Sequence, residues 1–211
     1  SIFTWLEGKI DYSRAFELDG KGEITRRSYR YMAEIGMELP IAKTIDLHLD
    51  ATYFFKVGNF EEEMKGSVNS NALIGYIFSD ISPGWNLIPR VGVNYATKGI
   101  HRKHNEREIT PIISPLWLWQ QENGNIATLT LTYYYFDKIK VISDSLNDRY
   151  KEFAIGLRIG EIVPITSEKG FSIIYGVTAE IGKYYAQAIN NHAATVFVED
   201  TQLGIDFGFG F

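Results

Sequence analysis

The stretch from Ile45 to Val57, IDLHLDATYFFKV, alternates apolar and polar residues with a period of two. Successive side chains of a β-strand point to opposite faces, so this stretch predicts a strand with one apolar and one polar face. The apolar face holds Ile45, Leu47, Leu49, Ala51, Tyr53, Phe55 and Val57. The other face holds Asp46, His48, Asp50, Thr52 and Lys56, with Phe54 as its one apolar member.

The same alternation recurs along the chain and predicts ten strands. Their approximate ranges are 3–16, 25–40, 45–57, 68–79, 85–97, 108–121, 126–138, 149–164, 171–185 and 199–211. Long connections of about 8–13 residues alternate with short ones of about 4–6 residues, as in up-and-down barrels. An even strand count places both termini at the end with the short turns. We therefore expect an all-β fold, a single antiparallel up-and-down β-barrel over residues 1–211.

The composition narrows the range of functions. The chain has 211 residues, no cysteine and a formal net charge of −5. Because no Lys/Arg stripe dominates any segment, nucleic acid is not an expected partner. The lack of cysteine excludes disulfides, thiolate metal sites and a cysteine nucleophile. The residue pattern predicts no bound metal and no other cofactor.

Alternation alone also fits a soluble sandwich or lipocalin-like barrel, in which the apolar face points inward. Three features favour a transmembrane barrel instead. Glycines crowd the polar face, where they make room for charged neighbours inside a narrow barrel. Aromatic residues gather near the strand ends, as they do at the two membrane interfaces. The predicted strands have about 12–16 residues, whereas soluble strands average about 5–6.

The last nine residues, LGIDFGFGF, place Leu203, Ile205, Phe207, Phe209 and Phe211 on one face. This segment resembles the terminal signal of bacterial outer-membrane β-barrel proteins. The resemblance implies a porin-like chain in the Gram-negative outer membrane, in contact with outer-membrane lipid and lipopolysaccharide. It also implies that Phe207, Phe209 and Phe211 act as a signal for the barrel-assembly machinery during biogenesis.

No apolar run approaches the roughly 20 residues of a membrane helix, and no basic-then-apolar signal peptide is present. We interpret the chain as a mature outer-membrane protein from which the signal peptide has been removed.

A membrane barrel turns its apolar face outward and its polar face toward the lumen. The residues expected to face lipid include Leu47, Leu49, Tyr53, Ile155, Leu157, Ile173, Val177, Ile205 and Phe207. The expected lumen charge network consists of Glu7, Lys9, Asp11, Arg30, Glu34, Asp46, His48, Asp50, Arg90, Arg158, Glu180 and Asp206. Glu38, Lys56 and Glu152 are further inward charges by the same alternation. Because an isolated buried charge is costly, we expect these groups to pair and to leave a narrow, partly occluded path.

Two clusters invite a comparison with enzymes. Asp46, His48 and Asp50 resemble the Asp and His residues of the omptin proteases, but they follow a short turn, at the opposite end from the omptin site. Asn190–His192 resembles part of a lipid-A-modifying esterase site, but Ala194 stands where that site requires serine. We therefore expect no catalytic residues and no enzyme, and an ionic network at Asp46–Asp50.

Two charged stretches in predicted long loops are candidates for an extracellular ligand. Glu61–Glu63 matches no calcium-loop spacing. His101–His104 is basic and suits phosphate groups of lipopolysaccharide or an acidic glycan.

Three functions remain open on the sequence. The first is a narrow or gated pore for ions or small polar solutes. The second is a surface binding, adhesion or structural barrel that presents its loops without transport. The third and weakest is a membrane-embedded hydrolase. Fold alone does not choose among them.

The terminal resemblance generates a test. We expect Phe211→Ala to lower the amount of protein in the outer membrane of cells more than it lowers the free energy of unfolding of refolded protein. The two readouts are membrane levels by immunoblot and urea unfolding in detergent. Membrane levels equal to those of the unmodified protein would remove the assembly role.

Overall fold

Antiparallel pairing between the first and last strands closes the sheet into a ring. In the computed structural model, β1 (Phe3–Asp19) pairs with β13 (His192–Gly210) over most of its length. The structure describes residues 3–19, 22–57, 66, 68–97, 107–134, 148–165, 170–190 and 192–211, with side chains except at 13–28, 56–57, 96–97, 107–108, 148–152 and 183–200. The predicted closure between the first and last strands is confirmed.

Eleven further segments complete the sheet: β2 (Gly22–Ala42), β3 (Ile45–Val57), β4 (Val68–Tyr76), β5 (Phe78–Ser82), β6 (Trp85–Ile88), β7 (Arg90–Thr97), β8 (Arg107–Ile113), β9 (Leu116–Gln120), β10 (Asn125–Tyr134), β11 (Asp148–Pro164) and β12 (Ser172–Asn190). Short breaks separate β4 from β5, β6 from β7 and β8 from β9, so these thirteen segments form ten barrel strands. The ring runs β1-β2-β3-β4-β7-β8-β10-β11-β12-β13, and β5, β6 and β9 extend it at one end. The predicted ten-stranded up-and-down barrel is confirmed.

Proline accounts for two of the three breaks. Pro89 and Pro115 have no backbone N–H, so each removes a donor from the ladder. Hydrogen bonds bridge the breaks: the Tyr76 amide donates to the Pro89 carbonyl (3.1 Å) and the Leu131 amide to the Pro115 carbonyl (3.2 Å). The interrupted strands therefore remain in the ring.

Tight turns connect the strands at one end of the barrel, which we call the short-turn end. Lys43 and Thr44 join β2 to β3, and Pro83 and Gly84 join β5 to β6. Gly84 and Gly124 adopt positive φ angles of 75° and 96°, which favour glycine. The turns predicted from Ser82-Pro83-Gly84 and Asn123-Gly124-Asn125 are confirmed.

Two connections differ from the sequence expectation. Residues 17–24 and 186–198 were expected to be long loops. Instead β1 and β2 pair as far as Asp19↔Gly22, and β12 and β13 pair as far as Asn190↔His192. Strands that project beyond lipid have water on their outer face, so the apolar alternation fades while the backbone ladder continues. The alternation of apolar and polar residues therefore predicted the apolar part of these strands but not the paired residues beyond it.

The apolar faces of the strands point outward. Tyr53, Ile155, Val177 and Ile205 are among the exposed large hydrophobic residues, with Val177 56% and Ile205 58% exposed. By contrast, Arg90 is 6% and Asp206 4% exposed. The predicted facing is confirmed for these residues and for Leu157 and Phe207, which are also exposed, while Leu47, Leu49 and Ile173 are half-buried. No helix among the described residues is long and apolar enough to cross a bilayer.

Inside the ring, aromatic side chains occupy the space that glycines leave open. Trp5 on β1 lies opposite Gly36 on β2. A Cβ added at Gly36 would lie 2.0 Å from Cζ2 of the Trp5 ring. By contrast, a Cβ added at the outward-facing Gly8 would meet only the Phe207 carbonyl oxygen, at 3.8 Å.

This packing generates a test. We expect Gly36→Ala to lower the free energy of unfolding by about 1–3 kcal/mol, because the Trp5 ring must move. Gly8→Ala, the same change on the neighbouring strand, is the control and is expected to be neutral or slightly stabilising. Urea unfolding of protein refolded into lipid vesicles measures both. Equal effects of the two substitutions would contradict the packing of Trp5 against Gly36.

Candidate functional site in the lumen

The barrel strands deliver charged side chains to one enclosed interior. Because side chains alternate, every second residue of β1, β2 and β3 faces inward. On β1 the inward positions include Glu7, Lys9 and Asp11. Closure of the ring then brings β11 and β13 to the other side of these residues.

One group centres on Arg30. Its Nε donates to Asp11 Oδ1 at 2.7 Å, and its Nη2 donates to the other oxygen of the same carboxylate. Nη2 also donates to the side-chain oxygen of Gln202. The guanidinium lies 6.0 Å from the centre of the Phe54 ring. A two-point Arg–carboxylate pair of this kind is both strong and geometrically fixed.

A second group links β1 to β2. Lys9 Nζ lies 2.7 Å from Glu34 Oε2 and 3.8 Å from Glu7 Oε2. Glu34 also accepts hydrogen bonds from Trp5 Nε1 (3.1 Å) and Thr52 Oγ1 (3.1 Å). The Glu34 carboxylate therefore has hydrogen-bond donors on both neighbouring strands, β1 and β3, in addition to its ion pair with Lys9.

Arg158 extends the second group to β11 and β13. Its Nη2 lies 2.7 Å from Asp206 Oδ1 and 3.2 Å from Glu7 Oε1, and its Nε donates to Asp206 Oδ2 at 3.1 Å. The Asp206 side chain is fully buried. Because Glu7 contacts both Lys9 and Arg158, the ion pairs form one continuous network across the barrel.

A third group surrounds His48. Its Nδ1 lies 2.6 Å from Glu38 Oε1, and its Nε2 lies 2.7 Å from Asp50 Oδ2. Carboxylates only accept hydrogen bonds, so a ring with both nitrogens protonated satisfies this arrangement. Asp50 also accepts from Asn71 Nδ2 at 3.0 and 3.1 Å. The His48 ring lies 5.6 Å from the Trp5 ring.

Arg90 joins the third group to the short-turn end. Its Nη2 donates to Asp46 Oδ2 at 2.7 Å and to Glu38 Oε1 at 3.0 Å. Among the described residues, the buried side-chain atoms without a hydrogen-bond partner are Glu38 Oε2, Asp46 Oδ1 and Arg90 Nε. One cation thus serves two carboxylates at this point.

Neutral polar side chains form a further part of the inner wall. Asn94 Nδ2 donates to Asn69 Oδ1 (2.6 Å) and Asn71 Oδ1 (2.8 Å). Ser114 Oγ and Thr132 Oγ1 are 2.7 Å apart. These amide and hydroxyl groups share the side formed by β4, β7, β8 and β10 with the buried side chains of Leu73 and Ile112, and with Arg90 near the short-turn end.

Buried apolar residues also face inward, which the expectation of a polar interior missed. We call Trp5, Ile88, Leu116 and Ile174 the apolar end group, because each lies within five residues of the short-turn end of its strand. Five other buried apolar residues that the structure describes lie farther from that end: Met32, Phe54, Leu73, Ile112 and Ala154. The alternation that places Val91 outward already assigns Ile88 to the inner face. The alternation in the sequence thus predicts the inward position of Ile88, but it does not predict that Ile88 is buried.

The structure places all twelve predicted lumen residues on the inner face. It brings eleven of them into the ion pairs and hydrogen bonds described above, and Glu180 lies on the same face of β12, opposite Gly156. Glu38, a further inward charge that the alternation predicts, joins them through His48 and Arg90, and the structure adds the neutral partners Gln202, Asn71 and Thr52. These three side chains are uncharged, so the search for charged residues did not select them. Their inward position in the alternation is the only sequence signal that could have predicted their role. The side chains of Lys56 and Glu152 lie outside what the structure describes.

Asp46, His48 and Asp50 do not form a single unit. His48 contacts Asp50, while Asp46 turns to Arg90. No group of three or more His, Asp or Glu side chains in the described part of the chain is arranged to hold a metal ion. The loop candidates Glu61–Glu63 and His101–His104, and the side chains of Asn190–His192, lie outside what the structure describes.

The terminal aromatic residues line the outer surface at the short-turn end. Phe207 and Phe211 are exposed, and the Phe209 ring stacks on Phe171 with centroids 5.3 Å apart. Backbone hydrogen bonds tie Phe211 to Thr4 in both directions, at 2.8 and 2.9 Å. The end of β13 is thus held against the start of β1.

Similar solved structures agree with this architecture. The outer membrane protease OmpT from Escherichia coli matches with a TM-score of 0.50 and 8% identity, over 100% of this chain and 96% of that chain. This chain has the fold of the bacterial outer-membrane β-barrel proteins. An outer membrane channel from Pseudomonas putida F1 matches this chain with a TM-score of 0.42 and 9% identity, over 98% of this chain and 95% of that chain. The outer membrane protein OprG from Pseudomonas aeruginosa matches with a TM-score of 0.38 and 9% identity, over 100% of this chain and 95% of that chain.

No protein-family model and no curated protein sequence matches this chain. At these identities the structural likeness concerns the fold alone.

The network generates a test of stability. Arg158→Met leaves the buried carboxylates of Asp206 and Glu7 without their shared cation, so we expect the free energy of unfolding to fall by about 3–5 kcal/mol. A second change, Asp206→Asn, should recover part of this loss. Lys43→Met in an exposed turn is the matched control and should stay within about 0.5 kcal/mol. Urea unfolding in lipid vesicles measures all four proteins, and a neutral Arg158→Met would show that the pairing does not support the fold.

Proposed function

We propose that the protein resides in the bacterial outer membrane and acts as a narrow, gated pore for ions or small polar solutes. The observation that carries this proposal is the composition of the inner wall. Ion pairs line one side of the lumen, while the other side carries small amide and hydroxyl groups beside the buried Leu73 and Ile112.

The residues that line the lumen favour a conducting barrel over a barrel whose interior is filled only for stability. Apolar side chains fill a barrel at lower cost than ion pairs, because buried charges lose their hydration. A network of paired charges can exchange partners and admit water, whereas a packed apolar core cannot. The network therefore suits a lumen that opens at times.

The neutral wall offers the route. Asn94, Ser114 and Thr132 present short polar groups along β7, β8 and β10. Selective pores use such groups to replace part of the hydration of a passing solute.

The resting state of this pore is closed. Arg90 and Arg158 cross the lumen to partners on other strands. The apolar end group narrows the same lumen near the short-turn end, where an apolar constriction excludes water. Opening of the pore then requires that these side chains move, while the strands of the barrel keep their positions.

The proposed location in the outer membrane also predicts which molecules contact the protein. Outer-membrane lipid and lipopolysaccharide would contact the exposed apolar belt, and the barrel-assembly machinery would read Phe207, Phe209 and Phe211. The short-turn end would face the periplasm.

The second candidate is a surface barrel that presents its outer end to a ligand without transport. It is supported by β12 and β13, which have 19 residues each and pair as far as Asn190↔His192. A tilted membrane strand needs only about 9–11 residues to cross lipid. The excess length forms a rigid wall on which a partner could bind.

Planar-bilayer recording tests the pore. We expect brief or small unitary currents from the unmodified protein. Ile88→Ala and Leu116→Ala, which shorten the apolar end group, should raise the single-channel conductance or the open time. Ile74→Ala removes an outward-facing side chain that is 48% exposed and is the matched control. Silence from the unmodified protein and from both inner variants would reject the pore and favour the surface barrel.

A further inference from the structure

The described lumen side chains carry more negative than positive charge. The carboxylates on the inner face are Glu7, Asp11, Glu34, Glu38, Asp46, Asp50, Glu180 and Asp206. The basic side chains on the inner face are Lys9, Arg30, Arg90, Arg158 and His48. The eight carboxylates outnumber the five basic groups even when His48 is counted as charged. Low-dielectric walls focus such an excess, so the lumen attracts cations and repels anions.

The excess is uneven along the barrel. Arg30 and Asp11 form a balanced pair. At the short-turn end, however, Arg90 Nη2 serves both Asp46 and Glu38. Glu38 Oε2 and Asp46 Oδ1 are buried and receive no hydrogen bond from the described residues. Two carboxylate oxygens are thus left over, although Arg90 contacts both carboxylates and His48 also contacts Glu38.

The Asp46 side chain is 7% exposed and is held in a space that a glycine leaves open. A Cβ added at Gly75 would strike Asp46 Oδ1, the Arg90 side chain and Ile88 Cγ2. Ile88 belongs to the apolar end group. The unpartnered Asp46 Oδ1 atom therefore lies beside the apolar end group.

We propose that the lumen passes small inorganic cations in preference to anions, and that Glu38 and Asp46 set this preference. The inference rests on the proposed conduction. No described group of acidic and histidine side chains is arranged to chelate a metal. Weak attraction without chelation suits permeation, because an ion must leave as readily as it enters.

Reversal potentials across planar bilayers with a tenfold KCl gradient test the inference. We expect the unmodified protein to be more permeable to K⁺ than to Cl⁻. Glu38→Gln keeps the side-chain oxygen that accepts from His48 and Arg90, so it should preserve the fold. It should lower the permeability ratio by roughly fivefold, the factor equivalent to about 1 kcal/mol for a unit charge about 4 Å from an ion in water.

Asp46→Asn is the second inner variant, and its ratio should also fall. Glu161→Gln is the matched control, because Glu161 stands at the same end of the barrel but faces outward, where it accepts a hydrogen bond from Tyr175. Its ratio should equal that of the unmodified protein.

The outcomes separate the two proposals. Steady currents with no ion preference, or with a preference for Cl⁻, overturn the selectivity and leave the pore intact. A cation preference that neither inner variant reduces overturns the assignment to Glu38 and Asp46. No current from any protein, including the variants of the apolar end group, overturns the pore and the selectivity that rests on it.

Discussion

Hydrocarbon offers no water to a backbone N–H or C=O group, so a strand edge cannot remain unpaired in lipid. The pairing of β1 with β13 removes the last two edges of the sheet, and it runs from Trp5↔Gly210 to Leu18↔Phe197. Closure also decides where side chains go. Once the ring is complete, one face of every strand meets lipid and the other meets a narrow shared interior.

That interior has little room, and its residues show how the space is divided. Trp5 fits because Gly36 lies opposite, and Asp46 fits because Gly75 has no side chain. Glycine would weaken a strand on a solvent face. Here it allows large and charged groups to meet at the centre.

The charges brought together in this way depend on one another. Lys9 and Arg158 share Glu7, and Arg90 is shared by Asp46 and Glu38. Each cation thus holds carboxylates from different strands, and the loss of one leaves buried charges behind. The described side chains of the interior carry a net negative charge, which links the stability of the barrel to the ions it would admit.

The sequence by itself determined the strands, their number and the face on which each lumen residue stands. A period of two is local, so Ile45–Val57 reveals its two faces without reference to any other strand. Only the tertiary structure decided the partners. Arg158 meets Glu7, 151 residues away in the chain, because the closed ring sets β11 across from β1. It also revealed the full length of β12 and β13, since paired backbone above the membrane needs no apolar pattern.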